Sequence, residues 1–373
     1  MRVAMFIHGY FPLVGGAERQ LQTIAPYLKA QDVEVHVITR HHPNLPQYEE
    51  IEGVPVHRLP NSRIKPLASA SYTAAAIPLL RRLNPDILHA HSLTSPTTTA
   101  LMGKRVLNIP TVITLHRTGY LGDIQRLQRR RFGEQRLKGI RDNADAFIMI
   151  SKEVASELEQ LDTPMDKCHF IPNGVNAEQY TPVNPTAKMR LRQLLGLPID
   201  AQIVIFTGRL APEKRVNHLV DVWHDIQQRY PNALLLLVGT GDEEPALKAA
   251  AGAGVHFAGK QENVIPFLQA SDLFVLPSVA EGLSVAMLEA MSCGLPALVT
   301  QVGGAADVIT TRSNGWLIPP DDVPALKDAL MTLLGSPALR RSLGDCGRET
   351  VLVDYQLPVV TSKLKRVYEQ VLK

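Results

Sequence analysis

One alternation runs the length of this chain and limits what it can become: short, continuously apolar stretches separated by longer segments of helical period. The stretches that read as strands are Val3–Ile7, Glu34–Thr39, Val54–Arg58, Ile87–His89, Thr111–Leu115 and Ala146–Ile150. A second series follows, Ile203–Thr207, Ala233–Val238, Val255–Phe257, Leu273–Leu276, Ala297–Thr300 and Gly315–Ile318. Strands apolar at nearly every position need cover on both faces, the condition of a parallel sheet. Alternation with helices implies right-handed crossover units, so each series predicts a Rossmann-like, doubly wound α/β domain. At 373 residues the chain is too long for one ordinary core and suits two. The series divide at a loop-rich stretch, Ile171-Pro172-Asn173-Gly174 through Pro182 and Pro185. Domains of residues 1–172 and 173–357 are therefore expected. Near the end, Leu364, Val367, Tyr368, Val371 and Leu372 recur at helical spacing and predict a helix over Ser362–Leu372.

Composition removes several function classes. Charged residues make up 20% and the formal net charge is +3, so the chain is no polycation built for nucleic acid. Aromatics are 5% and form no stacking platform, which argues the same way. The three cysteines, Cys168, Cys293 and Cys346, lie far apart without a Cys-x-x-Cys pair. That speaks against a disulfide framework or structural zinc and fits a reducing cytoplasm. The start, Met1 to His8, has one Arg and a short apolar run, and reads as a first strand and not a signal peptide. No stretch approaches the ~18–20 apolar residues of a membrane span. A cytoplasmic protein is expected, or one lying on the inner face of a membrane.

In open α/β sheets ligands bind beyond the carboxyl ends of strands, and two such domains facing each other would make a cleft. Chemistry should therefore sit just after strands, and three motifs do. Gly15-Gly16-Ala17-Glu18 follows the first strand; paired glycines allow close backbone approach, although an ordinary strand-to-helix turn looks similar. Thr207-Gly208-Arg209-Leu210-Ala211-Pro212-Glu213-Lys214-Arg215 places two cations five positions apart in a Gly- and Pro-shaped loop. Arg209 offers a planar fork for phosphate oxygens and Lys214 a mobile point charge, which suits a diphosphate. The third motif, Glu281-Gly282-Leu283-Ser284 leading through Glu289 to Gly294, follows the turn Pro277-Ser278. Ser284 is a natural N-cap, and the helix start behind it has free amides and partial positive charge to seat a phosphate. Glu281 can hydrogen-bond sugar hydroxyls, and Glu289, about 7.5 Å past the cap, could bond a ribose.

Glu281 and Glu289, with seven residues between them, resemble the E-x7-E motif of the retaining GT-B glycosyltransferases of family 4. Neighbouring segments match in colinear order: Gly208-Arg209-Leu210 with Lys214 downstream, Val238-Gly239-Thr240-Gly241, Phe257-Ala258-Gly259, Ala270-Ser271-Asp272, Gly303-Gly304 and Asn314-Gly315, with Gly15-Gly16-Ala17-Glu18 and Ile171–Val175 before them. The resemblance covers nearly the whole chain. It implies a nucleotide-diphosphate-sugar donor, with Arg209 and Lys214 on the diphosphate and Glu289 on the ribose. Glu281 and the amides near Gly282, Leu283 and Ser284 would hold the donor sugar. Gly15 and Gly16 would line the cleft from the N-terminal, acceptor-side domain, and His116 would be the active-site histidine beside the donor sugar. Residues 358–373 would cross back onto the first domain. Two positions depart from the family pattern: Arg117 stands where an acid often follows the histidine, and Arg215 replaces the glycine after the lysine.

This resemblance predicts a retaining transfer in which the leaving phosphate takes the acceptor's proton and Glu281 orients without attacking. No Asp-x-Asp follows a strand, and the two cations can replace an ion, so no metal is expected. The acceptor is expected to be a carbohydrate or lipid-linked precursor of the cell envelope. The run Arg126 to Arg141, basic with interspersed Leu, Phe and Ile, reads as a helix resting on anionic lipid, as a solvated basic face, or as an acceptor-phosphate site. Two competing functions are a GT-B nucleotide-sugar epimerase, which needs acid/base carboxylates at the sugar carbon, and a nucleotide-sugar-binding protein without catalysis.

Overall fold

The computed structural model describes the chain except residues 13, 14, 61, 63, 120 and 121 and the side chains of 65 and 66. It divides into two compact units, Met1–Gly174 with Leu357–Lys373, and Val175–Gln356.

The strands of the first unit are β1 (Arg2–Phe6), β2 (Glu34–Arg40), β3 (Tyr48–Ile51), β4 (Val54–Leu59), β5 (Ile87–His91), β6 (Thr111–Leu115), β7 (Ala146–Met149) and β8 (Cys168–Phe170). They form one sheet in the order β3-β4-β2-β1-β5-β6-β7-β8. Every neighbouring pair is parallel except β3 with β4. Both strands that apolarity failed to signal are edges. β3 (Tyr-Glu-Glu-Ile) closes a hairpin at Glu52-Gly53, both in the left-handed region, and β8 is Cys-His-Phe. An edge strand need not be covered on both faces, so it carries no continuous apolar run.

The second unit contains β9 (Gln202–Thr207), β10 (Ala233–Val238), β11 (Val255–Gly259), β12 (Leu273–Leu276), β13 (Ala297–Thr300) and β14 (Trp316–Ile318). They lie in the order β11-β10-β9-β12-β13-β14, parallel throughout. Central strands are buried at nearly every residue, as their composition requires.

The C-terminal helix spans Leu357–Val371, one turn longer at its start than the apolar stripe predicts. It buries Leu357, Val360, Leu364, Val367 and Tyr368, while Leu372 lies beyond it and is exposed. Its apolar face joins one cluster with Leu21, Ile24 and Leu28 of the helix Gly16–Lys29 and with Val3 and Met5 of β1. The helix is therefore part of the first unit's core, where truncating a buried Leu to Ala costs about 2–5 kcal/mol.

The basic stretch is not one helix. Helices Asp123–Gln128 and Gly133–Asn143 are separated at Phe132, whose φ of 61° breaks the path. Leu127, Leu137 and Ile140 point into the unit, leaving Phe132 as the exposed apolar residue among exposed arginines. Among the described residues no helix is long and apolar enough to cross a membrane.

Both sheets reverse direction of growth once. In the first the chain builds outward from β1 through β2 to β4, then returns to the other side of β1 with β5. In the second the same reversal falls between β9 and β12. At such a point the loops leaving adjacent carboxyl ends run to opposite sides and open a crevice, where α/β proteins bind ligands.

Candidate active site

The crevice of the second unit is made by the loops after β9 and β12. Thr207 ends β9, and the chain turns through Gly208 into the short 3₁₀ turn Pro212–Lys214 before the helix Val216–Arg229. The β12 loop runs Pro277 to Ser284, where the Ser284 hydroxyl accepts from the Met287 amide at 3.2 Å and starts the helix Val285–Ser292. The Val279 amide donates to the Glu213 carbonyl at 2.9 Å, and Lys214 Nζ donates to Glu281 Oε1 at 2.5 Å. Two loops 67 residues apart in sequence are thus locked together by backbone and by charge.

Glycines make that contact possible. Gly239, after β10, has φ 141°, and a Cβ on it would lie 1.8 Å from the Gly208 carbonyl oxygen. Gly303, with φ 56°, would bring a Cβ within 2.2 Å of the Gly282 carbonyl, which accepts from the Gly304 amide at 2.6 Å. No side chain fits at either place, and both backbones are in regions that glycine alone adopts cheaply.

Arg209, Lys214, Glu281, Gly282, Leu283 and Ser284 thus stand on two adjoining loops. Lys214 and Glu281 are half-buried, whereas the Arg209 side chain is 63% exposed and donates to Glu213 Oε1 at 2.7 Å. Burial raises the Glu213 carboxyl, but its backbone hydrogen bond and Arg209 outweigh this and hold it below the usual range. Glu281 and Ser284 line a small recess completed by Leu276, Met287, Val299, Thr300, Val302 and Ala305. Glu289 lies on the same helix and is 4% exposed.

The other expected residues belong to the first unit. The Gly15 amide donates to Glu18 Oε2 at 3.1 Å, and Gly16 begins the helix Gly16–Lys29. His116 follows β6, and its Nε2 meets His91 Nδ1 at 2.9 Å with the rings stacked at 5.2 Å between centroids. His91 in turn lies 4.3 Å from the ring of His89, which bonds the Tyr368 hydroxyl through Nδ1 and Thr114 through Nε2. Burial, reinforced by Arg117, lowers the His116 pKa to about 4. Burial likewise lowers His89 to about 3, and with its His89 and His116 neighbours drives His91 well below the ordinary value. All three rings are neutral near pH 7, able to give or take hydrogen bonds without carrying charge.

The family resemblance singled out His116 alone. His8, just after β1, and His91, the last residue of β5, carried a weaker signal, their place at the carboxyl ends of the strands flanking the reversal.

With the geometry in view, comparison with known proteins assigns the chain. The description "Glycosyltransferase Family 4" matches residues 14–179 and "Glycosyl transferases group 1" matches residues 201–336. Among curated proteins, N-acetyl-alpha-D-glucosaminyl L-malate synthase of Bacillus anthracis is 28% identical, covering 97% of this chain and 96% of its own. Phosphatidyl-myo-inositol mannosyltransferase of Mycobacterium leprae is 27% identical over 100% of this chain and 97% of its own. Among solved structures, sucrose-phosphate synthase from Thermosynechococcus elongatus superposes with a TM-score of 0.85 at 24% identity, covering 99% of this chain and 98% of that one. Anabaena HepE in complex with UDP-glucose gives 0.81 at 21%, covering 99% and 100%. The chain has the GT-B fold and is a glycosyltransferase. It belongs to glycosyltransferase family 4, the group 1 glycosyl transferases.

Proposed function

We propose that this enzyme transfers a sugar, with retention of anomeric configuration and without a metal ion, from a nucleoside diphosphate to a carbohydrate or lipid-linked acceptor of the cell envelope. The observation that carries the reading is the 2.5 Å contact of Lys214 with Glu281, which sets a cation and a sugar-binding carboxylate side by side at the reversal point of the second sheet.

Cleavage of the sugar–phosphate bond leaves negative charge on the diphosphate. Lys214, the Arg209 fork and the amide-bearing start of the helix Val285–Ser292 would take up that charge, and preorganised donors of this kind supply the largest part of such catalysis. Glu281 holds Lys214 forward and bonds the sugar's hydroxyls; Glu289 serves the ribose. His116, neutral, acts beside the donor sugar as a hydrogen-bonding group. In a retaining transfer of this design the departing phosphate accepts the acceptor's proton, so no side chain must attack the sugar.

The relatives named above support a donor of the nucleotide-sugar class and an acceptor such as a lipid-anchored or small anionic alcohol. The exposed Arg126, Arg129, Arg130 and Arg131 with Phe132 support a peripheral site on an anionic membrane, on its cytoplasmic face. No finding favours an epimerase or a non-catalytic binding protein.

The test is a panel of nucleotide sugars scored by thermal shift, followed by transfer assays with the donor that binds. Arg209→Ala and Lys214→Ala should each lower turnover on the order of 10²–10³-fold, with activity unchanged by EDTA. Near-normal turnover in both variants would remove the diphosphate assignment, and loss of activity in EDTA restored by manganese would remove metal independence.

A further inference from the structure

The reversal point of the first sheet gathers positive side chains without carboxylates to answer them. His8, just after β1, hydrogen-bonds the Thr94 hydroxyl, which also meets Ser92 Oγ at 3.1 Å. Arg40 ends β2 and donates from Nη2 to Ser95 Oγ at 2.5 Å; its Nε is buried with no partner, and the guanidinium lies 6.0 Å from the centre of the Tyr72 ring. Arg136, from the helix Gly133–Asn143, donates from Nη2 to Thr98 Oγ1 at 3.2 Å. Groups from three separate elements therefore converge on hydroxyls in the first turn of one helix, Ser95–Leu107. Arg126 and Arg130 add to the positive potential at His8, and Arg130 to that at Arg136.

Such an arrangement lacks its counter-charge. The start of a helix carries about half a positive charge and favours anions. This one has no acidic residue in its first turn, and Thr94, at the cap position, makes no side-chain cap bond. Among the described residues, Arg40, Arg126, Arg130 and Arg136 enter no ion pair. Asp123, the nearest acid to Arg126 in sequence, is buried and titrates near 6, pushed up by burial against the pull of Arg117, the His116 amide and Arg126. A guanidinium fork has five N–H groups, and the hydroxyl contacts fix its orientation while leaving donors over.

We propose that Arg40, Arg136 and the hydroxyls of Thr94, Ser95 and Thr98 form a seat for a phosphate ester of the acceptor, with Arg126 and Arg130 at its rim. A phosphate monoester has three terminal oxygens to accept from donors arriving on three sides, which a planar carboxylate cannot do. The seat deepens the glycosyltransferase reading and rests on it: the phosphate would anchor the acceptor at the same end of the first sheet where His116 stands. The monoester could be soluble or the headgroup of a lipid such as phosphatidic acid, and both present three terminal oxygens to these donors.

Binding is measured on the full chain carrying Lys214→Ala, so that the donor loop does not compete. The probes are glycerol 3-phosphate and phosphatidylcholine vesicles containing phosphatidic acid, with pure phosphatidylcholine as blank. Saturable, salt-sensitive binding of either probe is expected, weakened roughly tenfold by Arg40→Gln and again by Arg136→Gln; the probe that binds tells a soluble ester from a lipid. Thr98→Val, on an exposed residue, should weaken binding severalfold and keeps the proposal testable if an arginine variant fails to fold. Binding of neither probe, or equal binding by the parent and the arginine variants, overturns the proposal. Nucleotide-sugar binding by the wild-type chain, scored separately, distinguishes failure of the glycosyltransferase reading from failure of the phosphate seat.

Discussion

At the scale of single residues, the contact between His91 and His116 constrains chemistry most tightly. Both rings are neutral, so one must donate across the 2.9 Å gap. His91 Nε2 is buried without a partner. A buried N–H left unmade is rarer and costlier than an unused lone pair. His91 therefore carries its proton on Nδ1 and donates to His116 Nε2, which leaves the His116 proton on Nδ1. Nitrogen NMR should find both rings in the Nδ1–H form. His91→Phe should lower turnover about five- to tenfold, ~1–1.4 kcal/mol of lost positioning, with donor affinity kept. Unchanged turnover would make the pair merely structural. The motif residues Arg209, Lys214, Glu281 and Ser284 were legible because each type has a fixed repertoire: a fork, a point charge, an acceptor, a cap. The His91 contact was not, because residues 25 apart meet only when β5 and β6 lie side by side.

At the scale of elements, local pattern worked where burial was two-sided and failed at edges and breaks. β12 and β13 were readable to the residue because every position is buried. β3 and β8 were invisible because edges tolerate polar residues. The basic stretch shows a second failure: its apolar residues suggested a lipid-facing helix, yet Leu127, Leu137 and Ile140 serve the unit's own core. What remains for a membrane is the turn with Arg129, Arg130, Arg131 and Phe132, Arg131 lying over the Phe132 ring at 4.9 Å. Each cation near an anionic surface contributes about 1 kcal/mol. Flotation with phosphatidylglycerol liposomes should therefore be salt-sensitive, and Arg129→Gln with Arg131→Gln should weaken it roughly tenfold or more. Flotation absent, or indifferent to salt, would exclude the turn as an anchor.

For the molecule as a whole, the buried histidines set how stability depends on pH. Burial lowers His8, His57 and His116 to about 4 and His89 to about 3, all in the first unit. Between pH 6.5 and 4 the unfolded chain binds more protons at these sites than the folded one, so their contribution is full above about 6.5 and is lost on acidification. Asp123, raised to about 6, works in the opposite sense, gaining stability as pH falls from 6 towards its unfolded value. His91 and His169 are lowered by burial as well, and Glu157 is raised by it like Asp123. Six rings against two carboxyls leave a net loss, so the urea midpoint should fall between pH 7 and pH 5, and a constant midpoint would contradict neutral burial of these rings. Periodicity and side-chain chemistry are local properties of the chain, so the two α/β series, the loop motifs and the family could be read from residue order alone. That Lys214 meets Glu281, that Tyr368 reaches His89, and that Arg40 and Arg136 share the first turn of one helix follows from the folded chain alone. Strand order brings those residues together, and order is settled by which faces must be buried across the whole sheet, a quantity no single segment contains.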